Sequence, residues 1–162
     1  MRILKYMYEG ESHYGVIDGD MIRKVKGDIY SDFSIGKKEV ELERVNLLSP
    51  VEPPNIIAIG LNYKRHAEES GSAIPERPVV FLKATTSIAG PGDDIILPHM
   101  APDEVDFEAE LAVVIGKKAK NVEPEKAAKY VLGYTCANDV SARDCQRKLD
   151  KQWARGKSFD TF

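Results

Sequence analysis

The chain has 162 residues, of which 43% are hydrophobic and 30% charged, and this composition is that of a folded protein rather than a disordered one. The formal net charge is −3, and lysine and arginine are scattered along the chain, which argues against a nucleic-acid or anionic-membrane partner. There is no apolar run of membrane length, no signal-peptide block and no zinc-ligand spacing at the two cysteines, so we expect a cytoplasmic protein.

Residues 1–52 are predicted to form a small β-rich domain. Two short β-prone runs flank the sequence Asp18-Gly19-Asp20, and an Asp-Gly pair in that setting is a strong β-hairpin signal. The segment Ser49–Pro54 contains three prolines, which stiffen the chain and remove backbone donors. We therefore predict a boundary there and a second domain over residues 53–162.

The second domain begins with a strand followed by a helix. The apolar run Asn55–Gly60 predicts a buried strand, and the segment Leu61–Ser70 is rich in helix formers and ends at Gly71. On a helix, His66 and Glu69 would share one face, where the carboxylate can orient the imidazole. Such a pair can act as a general base on water, although an isolated His-x-x-Glu is more often a surface pair.

Two further strands are predicted before residue 100. Pro78–Lys83 is an apolar strand that ends at Lys83, which would either bind an anionic substrate or extend to solvent. The segment Asp93–Pro98 predicts a turn and then another short strand.

The segment Asp106–Gly116 is the most informative stretch of the chain. Acids at Asp106, Glu108 and Glu110 alternate and are followed by a β-branched apolar run, which predicts one strand entering a buried sheet. Because side chains two apart in a strand share a face, these carboxylates would repel one another unless a cation or solvent lay among them. A hard metal site and a solvated acidic edge strand remain alternatives, and the uninterrupted apolar run favours the mouth of a pocket.

A second acidic position lies further along the chain. Gly133–Val140 predicts a strand, and Asp139 lies where that strand ends and a helix begins, because Ser141-Ala142-Arg143-Asp144 has capping-box spacing. An aspartate in that position can cap the helix, ligate a metal or do both. Polar side chains that follow it are Arg143, Gln146 and Lys157.

Four segments together resemble the fumarylacetoacetate hydrolase family, in its order and spacing, from about residue 54 onward. They are Gly60-Leu61-Asn62-Tyr63 with His66 and Glu69, Asp106–Gly116, Asn138–Asp144 with Gln146, and Lys157-Ser158-Phe159-Asp160. The resemblance implies an α+β fold with the family's mixed β-roll, β-rich with few short helices, after a small β-rich N-terminal domain. Family members continue well past the Lys157 segment, so it also implies a catalytic domain that is incomplete at the C-terminus.

The resemblance implies a set of site residues and a cofactor. The implied metal ligands are Glu108, Glu110 and Asp139, the catalytic residues His66, Glu69 and Lys157, and the substrate contacts Lys83, Arg143 and Gln146. The implied ion is Mg²⁺, with Mn²⁺ or Ca²⁺ as alternatives, and the implied assembly is a homodimer.

The chemistry of such a site centres on a 2-oxo acid, which can chelate an octahedral ion through its keto and carboxylate oxygens. The leading hypothesis is hydrolysis of a carbon–carbon bond in an acylpyruvate-like diketo acid through a metal-bound enolate, with water activated by His66 and Glu69. The alternative is decarboxylation or isomerisation of an unsaturated 2-oxo-dicarboxylate from aromatic catabolism, of the 5-carboxymethyl-2-hydroxymuconate or 2-hydroxyhepta-2,4-diene-1,7-dioate type. A hypothesis of another class is a non-catalytic fragment or cation-binding module.

Overall fold

A computed structural model describes all residues, 1–162, and confirms that the chain is β-rich with few short helices. The strands are β1 (Ile3–Tyr8), β2 (Glu11–Asp18), β3 (Met21–Gly27), β4 (Phe33–Glu41), β5 (Asn46–Leu48), β6 (Ile56–Gly60), β7 (Val79–Lys83), β8 (Val105–Asp106), β9 (Ala109–Ile115), β10 (Val131–Asn138) and β11 (Ser141–Ala142). The helical segments are α1 (Lys64–Glu69), a π-helical turn (Cys145–Leu149) and 3-10 turns at Leu42–Arg44, Thr85–Ser87, Pro124–Tyr130 and Arg155–Lys157. None of these helices has the length and apolar character needed to cross a membrane.

Strands β1–β5 form one antiparallel sheet in the order β4-β3-β2-β1-β5. The predicted hairpin is confirmed, since β2 pairs with β3 and Asp18 lies opposite Met21. Gly19 begins the intervening loop with φ +59°, a conformation that glycine adopts readily and that two-residue hairpin loops require. The sheet packs over a small core that includes the buried side chains Val16 and Val25.

Strands β9 and β10 form a two-stranded antiparallel ribbon in which Ala109 lies opposite Asn138. The prediction that this apolar run enters a buried sheet is wrong. Leu111, Val113 and Ile115 are 61%, 49% and 56% exposed, while the residues between them are half-buried. The ribbon thus packs on one face only, so successive side chains alternate between the packed and the open face.

The prediction of one strand over Asp106–Gly116 is also wrong, because the chain leaves the strand at Phe107 and Glu108. β8 ends at Asp106, which pairs with Ser141 of β11, and β9 starts only at Ala109. The backbone N–H of Glu108 instead donates to the side-chain oxygen of Asn138 at 3.0 Å. Asp106 therefore does not share a strand face with Glu108.

Strands β6 and β7 form another two-stranded antiparallel ribbon, with Ala58 opposite Phe81 and Ile57 opposite Leu82. Ala58 and Lys83 are buried, whereas Ile57 and Leu82 are 65% and 58% exposed, so one face packs and the other is open. The helix predicted after β6 is present as α1, and Gly71 follows its end with φ +64°, as a helix C-terminus favours.

The chain folds into two compact units, each assembled from several segments. One unit comprises residues 1–51, 89–93 and 108–138, and the other comprises residues 52–88, 94–107 and 139–162. The second unit has a core of buried side chains: Ala101, Val140, Ala142, Cys145 and Phe162. The division of the sequence at residues 52 and 53 stays a prediction.

The short strand predicted within Asp93–Pro98 is absent, so that prediction is wrong. The backbone N–H of Ile96 donates to the hydroxyl of Thr161 at 2.8 Å. This backbone donor is therefore paired with a side chain instead of with a neighbouring strand.

Candidate active site

Asp139 follows β10 directly, and its carboxylate accepts hydrogen bonds from two lysines. Lys83 Nζ donates to Oδ1 at 2.5 Å, and Lys157 Nζ donates to Oδ2 at 2.8 Å. The side chains of Lys83, Asp139 and Lys157 are 7%, 5% and 2% exposed. Charges this deeply buried are tolerated when they are paired and hydrogen-bonded, so the two ammonium groups and the carboxylate stabilise one another.

The backbone around the three residues explains how they meet. Lys83 ends β7, and the next residue, Ala84, donates its N–H to Ser158 Oγ at 2.9 Å, which ties β7 to the residue after Lys157. Gly156, the residue before Lys157, lets the backbone of this turn come close to the carbonyl oxygen of Ala142. A Cβ there would lie 2.8 Å from the carbonyl oxygen of Ala142, so a residue with a side chain could not bring this turn so near.

The capping-box interpretation of Ser141 is wrong, because Ser141 lies in β11 rather than at a helix start. Its hydroxyl donates to the carbonyl oxygen of Asp139 at 2.9 Å, which supports the backbone beside the carboxylate. Asp144 takes the capping position, since its side chain accepts from the N–H of Cys145 at 2.9 Å.

Arg143 is held by two neighbouring side chains. Its Nε donates to Asp106 Oδ2 at 2.7 Å, and one terminal nitrogen donates to Gln146 Oε1 at 2.8 Å. The Arg143 side chain is only 11% exposed, while that of Asp106 is 58% exposed. These bonds fix the plane of a guanidinium, the group whose geometry matches a carboxylate best.

Sequence reasoning missed the contact between Asp106 and Arg143. It grouped Asp106 with the other acids on one strand, and the only available signal was the presence of an arginine 37 residues away. Spacing along the chain gives no indication of a contact at that separation.

The three predicted metal ligands lie close together. One carboxylate oxygen from each of Glu108, Glu110 and Asp139 lies within 4.8 Å of the other two. Strand pairing and chain continuity account for this locally, since Ala109 lies opposite Asn138 and Asp139 is the next residue. Carboxylate oxygens are the ligands that hard divalent cations prefer.

The hydrogen bonds at Asp139 are compatible with metal binding. A carboxylate offers about four lone-pair positions, and the bonds from Lys83 and Lys157 use one on each oxygen. Carboxylates that ligate metals are commonly hydrogen-bonded by a surrounding shell of residues, which fixes their orientation. The donor set therefore fits a divalent ion such as Mg²⁺.

His66 and Glu69 both lie on α1, with His66 half-buried and Glu69 exposed. Their side chains make no hydrogen bond or ion pair with each other. The helix brings the two residues onto neighbouring positions, and their predicted joint action on water stays a prediction.

Two described families match this chain, and the two matches together cover most of it. Residues 55–162 match the family described as fumarylacetoacetate (FAA) hydrolase, C-terminal, and residues 1–50 match that described as Rv2993c-like, N-terminal.

Individual proteins are similar over most of this chain. It is 54% identical over 130 residues to a fumarylacetoacetate hydrolase domain-containing protein 2 homolog of Dictyostelium discoideum, a match that covers 80% of the chain and 42% of that protein. It is 52% identical to the mitochondrial oxaloacetate tautomerase fahd2 of Xenopus laevis, covering 73% of the chain and 37% of that protein.

The crystal structure of 5-carboxymethyl-2-hydroxymuconate delta-isomerase from Mycobacterium smegmatis superimposes with a TM-score of 0.89 at 39% identity. That match covers 99% of this chain and 63% of the other. The chain thus spans less than half the length of these two curated relatives and about two thirds of this solved structure.

Proposed function

The chain belongs to the fumarylacetoacetate hydrolase family, and from that premise we propose that it is a metal-dependent enzyme that interconverts tautomers or double-bond isomers of a 2-oxo-dicarboxylate. The observation that carries the proposal is the buried Asp139 carboxylate, held by two lysines and close to two glutamates. The names of the Xenopus tautomerase and the Mycobacterium isomerase support this reaction class over hydrolysis.

We propose Mg²⁺ as the ion, with Mn²⁺ or Ca²⁺ as alternatives, and Glu108, Glu110 and Asp139 as its ligands. A divalent ion bound there would act as a Lewis acid that polarises the keto group of the substrate. The lysine bonds to Asp139 would hold that carboxylate in one orientation before substrate arrives.

Lys157 is the residue that we propose to stabilise the negative charge that develops on the substrate during the reaction. Tautomerisation transfers a proton from the carbon beside the keto group to a base, for which solvent water suffices, and leaves negative charge on the keto oxygen until that oxygen is protonated to give the enol. The Lys157 ammonium would donate a hydrogen bond from Nζ to that oxygen, and a buried donor already fixed in place needs little reorganisation during the reaction.

Arg143, Gln146 and Lys83 are the proposed substrate contacts. The plane of the Arg143 guanidinium is set by Asp106 and Gln146, which suits recognition of a substrate carboxylate through two parallel bonds. Lys83, a compact buried cation at the end of β7, would contribute attraction for a second carboxylate.

Hydrolysis of an acylpyruvate-like diketo acid is the second candidate, and the placement of His66 and Glu69 on one short helix supports it. Catalytic hydrogen bonds often form fully only when substrate is bound. His66 and Glu69 therefore stay candidates for a water-activating pair although their side chains make no hydrogen bond with each other here. A homodimer and a cytoplasmic location are proposed from family membership and composition alone.

A substrate panel with added Mg²⁺ tests the proposal. Oxaloacetate, an unsaturated 2-oxo-dicarboxylate and an acylpyruvate are supplied in turn, and absorbance of the enol, CO₂ release and pyruvate release are measured separately. We expect interconversion of keto and enol forms without CO₂ or pyruvate. Pyruvate released from the acylpyruvate without CO₂ would support hydrolysis instead, and equal amounts of pyruvate and CO₂ from oxaloacetate would support decarboxylation. Metal uptake with no turnover of any substrate would support a non-catalytic cation-binding module.

A further inference from the structure

We propose that Phe81 and Trp153 are positioning residues that hold the Lys157 ammonium beside Asp139, an inference that rests on the proposed role of Lys157. Lys157 Nζ lies 5.3 Å from the centroid of the Phe81 ring and donates to Asp139 Oδ2 at 2.8 Å. The ammonium is therefore held by an aromatic face as well as by a carboxylate, and cation–π attraction strengthens when water is excluded.

Trp153 fixes the Phe81 ring in turn. The two ring centroids are 5.5 Å apart and the planes meet at 80°, the edge-to-face arrangement that aromatic pairs favour. An edge-to-face neighbour restricts rotation of the Phe81 ring, so the face that contacts Lys157 keeps its direction.

Gly60 provides the space for Trp153. A Cβ at Gly60 would lie 2.5 Å from Cζ3 and 3.0 Å from Cη2 of the indole, which no side chain can occupy. Gly60 lies opposite Val79 and Ala58 opposite Phe81 in the β6–β7 ribbon, so Gly60 and Phe81 belong to the same packed face. Gly60 thus makes room for Trp153, Trp153 restricts the Phe81 ring, and that ring contacts the Lys157 ammonium.

This support matters because a lysine side chain is long and flexible, and its ammonium has no fixed plane to orient it. A donor that must meet charge as it develops on a substrate oxygen loses effect when its position varies. Loss of the Phe81 ring should therefore lower kcat much more than it raises KM.

Kinetics of Phe81 variants provide the first test. In Phe81→Leu we expect kcat to fall about tenfold with KM little changed, because a buried cation–π contact is lost. In Phe81→Tyr, which keeps an aromatic ring, we expect kcat to be close to that of the native chain. Phe81→Met serves in the same way if Phe81→Leu does not fold. Leu82→Ala, on the open face of the same strand and 58% exposed in the native chain, is the matched control and should keep full activity.

A double variant distinguishes positioning from general loss of structure. If Phe81 acts through Lys157, Phe81→Leu should cause no further loss of kcat in a Lys157→Met background. An additive tenfold loss in that background would overturn the proposal.

The second test needs no activity. In a chain with ¹³C-labelled lysine, the ε-methylene proton signal of Lys157 should be shifted upfield by the Phe81 ring, and Lys157→Arg identifies the signal by removing it. We expect Phe81→Tyr and Trp153→Phe to keep the shift and Phe81→Leu and Trp153→Leu to reduce it. A signal that stays in place in Phe81→Leu or Trp153→Leu would overturn the role of that residue. The expected shifts in a chain that turns over no 2-oxo acid would support the positioning and overturn only the proposed function.

Discussion

Lys83 and Asp139 form a buried ion pair at 2.5 Å although 56 residues separate them in the chain. Lys157 completes the arrangement by donating to the other oxygen of the same carboxylate. Because one carboxylate accepts from two buried ammonium groups, its removal would leave both cations without this partner. Uncompensated buried charge is far more costly than an exposed pair that is broken.

Asp139→Asn should therefore lower the free energy of unfolding by about 3 kcal/mol, the loss expected when one partner of a buried ion pair is removed. The measurement is equilibrium urea unfolding in the absence of added metal. Asp103→Asn, at an exposed aspartate, is the control and should change that free energy by less than about 0.5 kcal/mol. Equal values for the two variants would mean that the buried cluster does not stabilise the chain.

Arg143→Lys should raise KM for the 2-oxo acid about 10- to 100-fold, because lysine cannot form the paired bonds of a guanidinium to a carboxylate. Asp106→Asn should raise KM less, since Asp106 acts by holding Nε of Arg143. Steady-state kinetics of the two single variants and the double variant measure this. A further increase of KM by Asp106→Asn in the Arg143→Lys background would show that Asp106 acts independently of Arg143.

His66→Ala should separate the two candidate reactions. Hydrolysis of an acylpyruvate should fall by about 10²- to 10⁴-fold if His66 activates water, whereas tautomerisation of oxaloacetate should be nearly unchanged. Glu68→Ala, next to Glu69 on α1 and exposed, is the control and should leave both reactions intact. Equal loss of both reactions in His66→Ala would assign the histidine to a step that they share.

The two cysteines should differ in reactivity. Burial raises the pKa of the Cys145 thiol, and the carboxylates of Asp144 and Asp150 raise it further against an opposing effect of Arg155. A raised pKa lowers the thiolate fraction at pH 8, so a thiol reagent should titrate only the exposed Cys136 in the native chain and both thiols in denaturant. Cys136→Ser should then leave no fast-reacting thiol, and rapid labelling of that variant would contradict the buried placement of Cys145.

The sequence predicted well wherever local chemistry decides the outcome. Gly19 supplies the backbone conformation of the hairpin loop, and the strand that ends in Lys83 is present. The grouping of Glu108 and Glu110 with Asp139 followed from family motifs, and the three carboxylates do lie near one another. Their predicted roles as ligands remain to be tested.

The sequence predicted poorly wherever a distant partner decides the outcome. The alternating acids predicted that Asp106 and Glu108 lie on one face of one strand. Asp106 instead accepts a hydrogen bond from Arg143, and the strand is interrupted between the two acids. The exposure of Leu111 could not be predicted either. A run of apolar residues does not reveal whether one face or both faces of its ribbon are packed.

Mn²⁺ titration by isothermal calorimetry tests the central claim most directly, since that claim is a divalent ion held jointly by Glu108, Glu110 and Asp139. We expect uptake of one ion per chain, lost in Glu110→Gln and retained in Asp106→Asn. Absence of uptake by the native chain, or undiminished uptake by Glu110→Gln, would contradict the account.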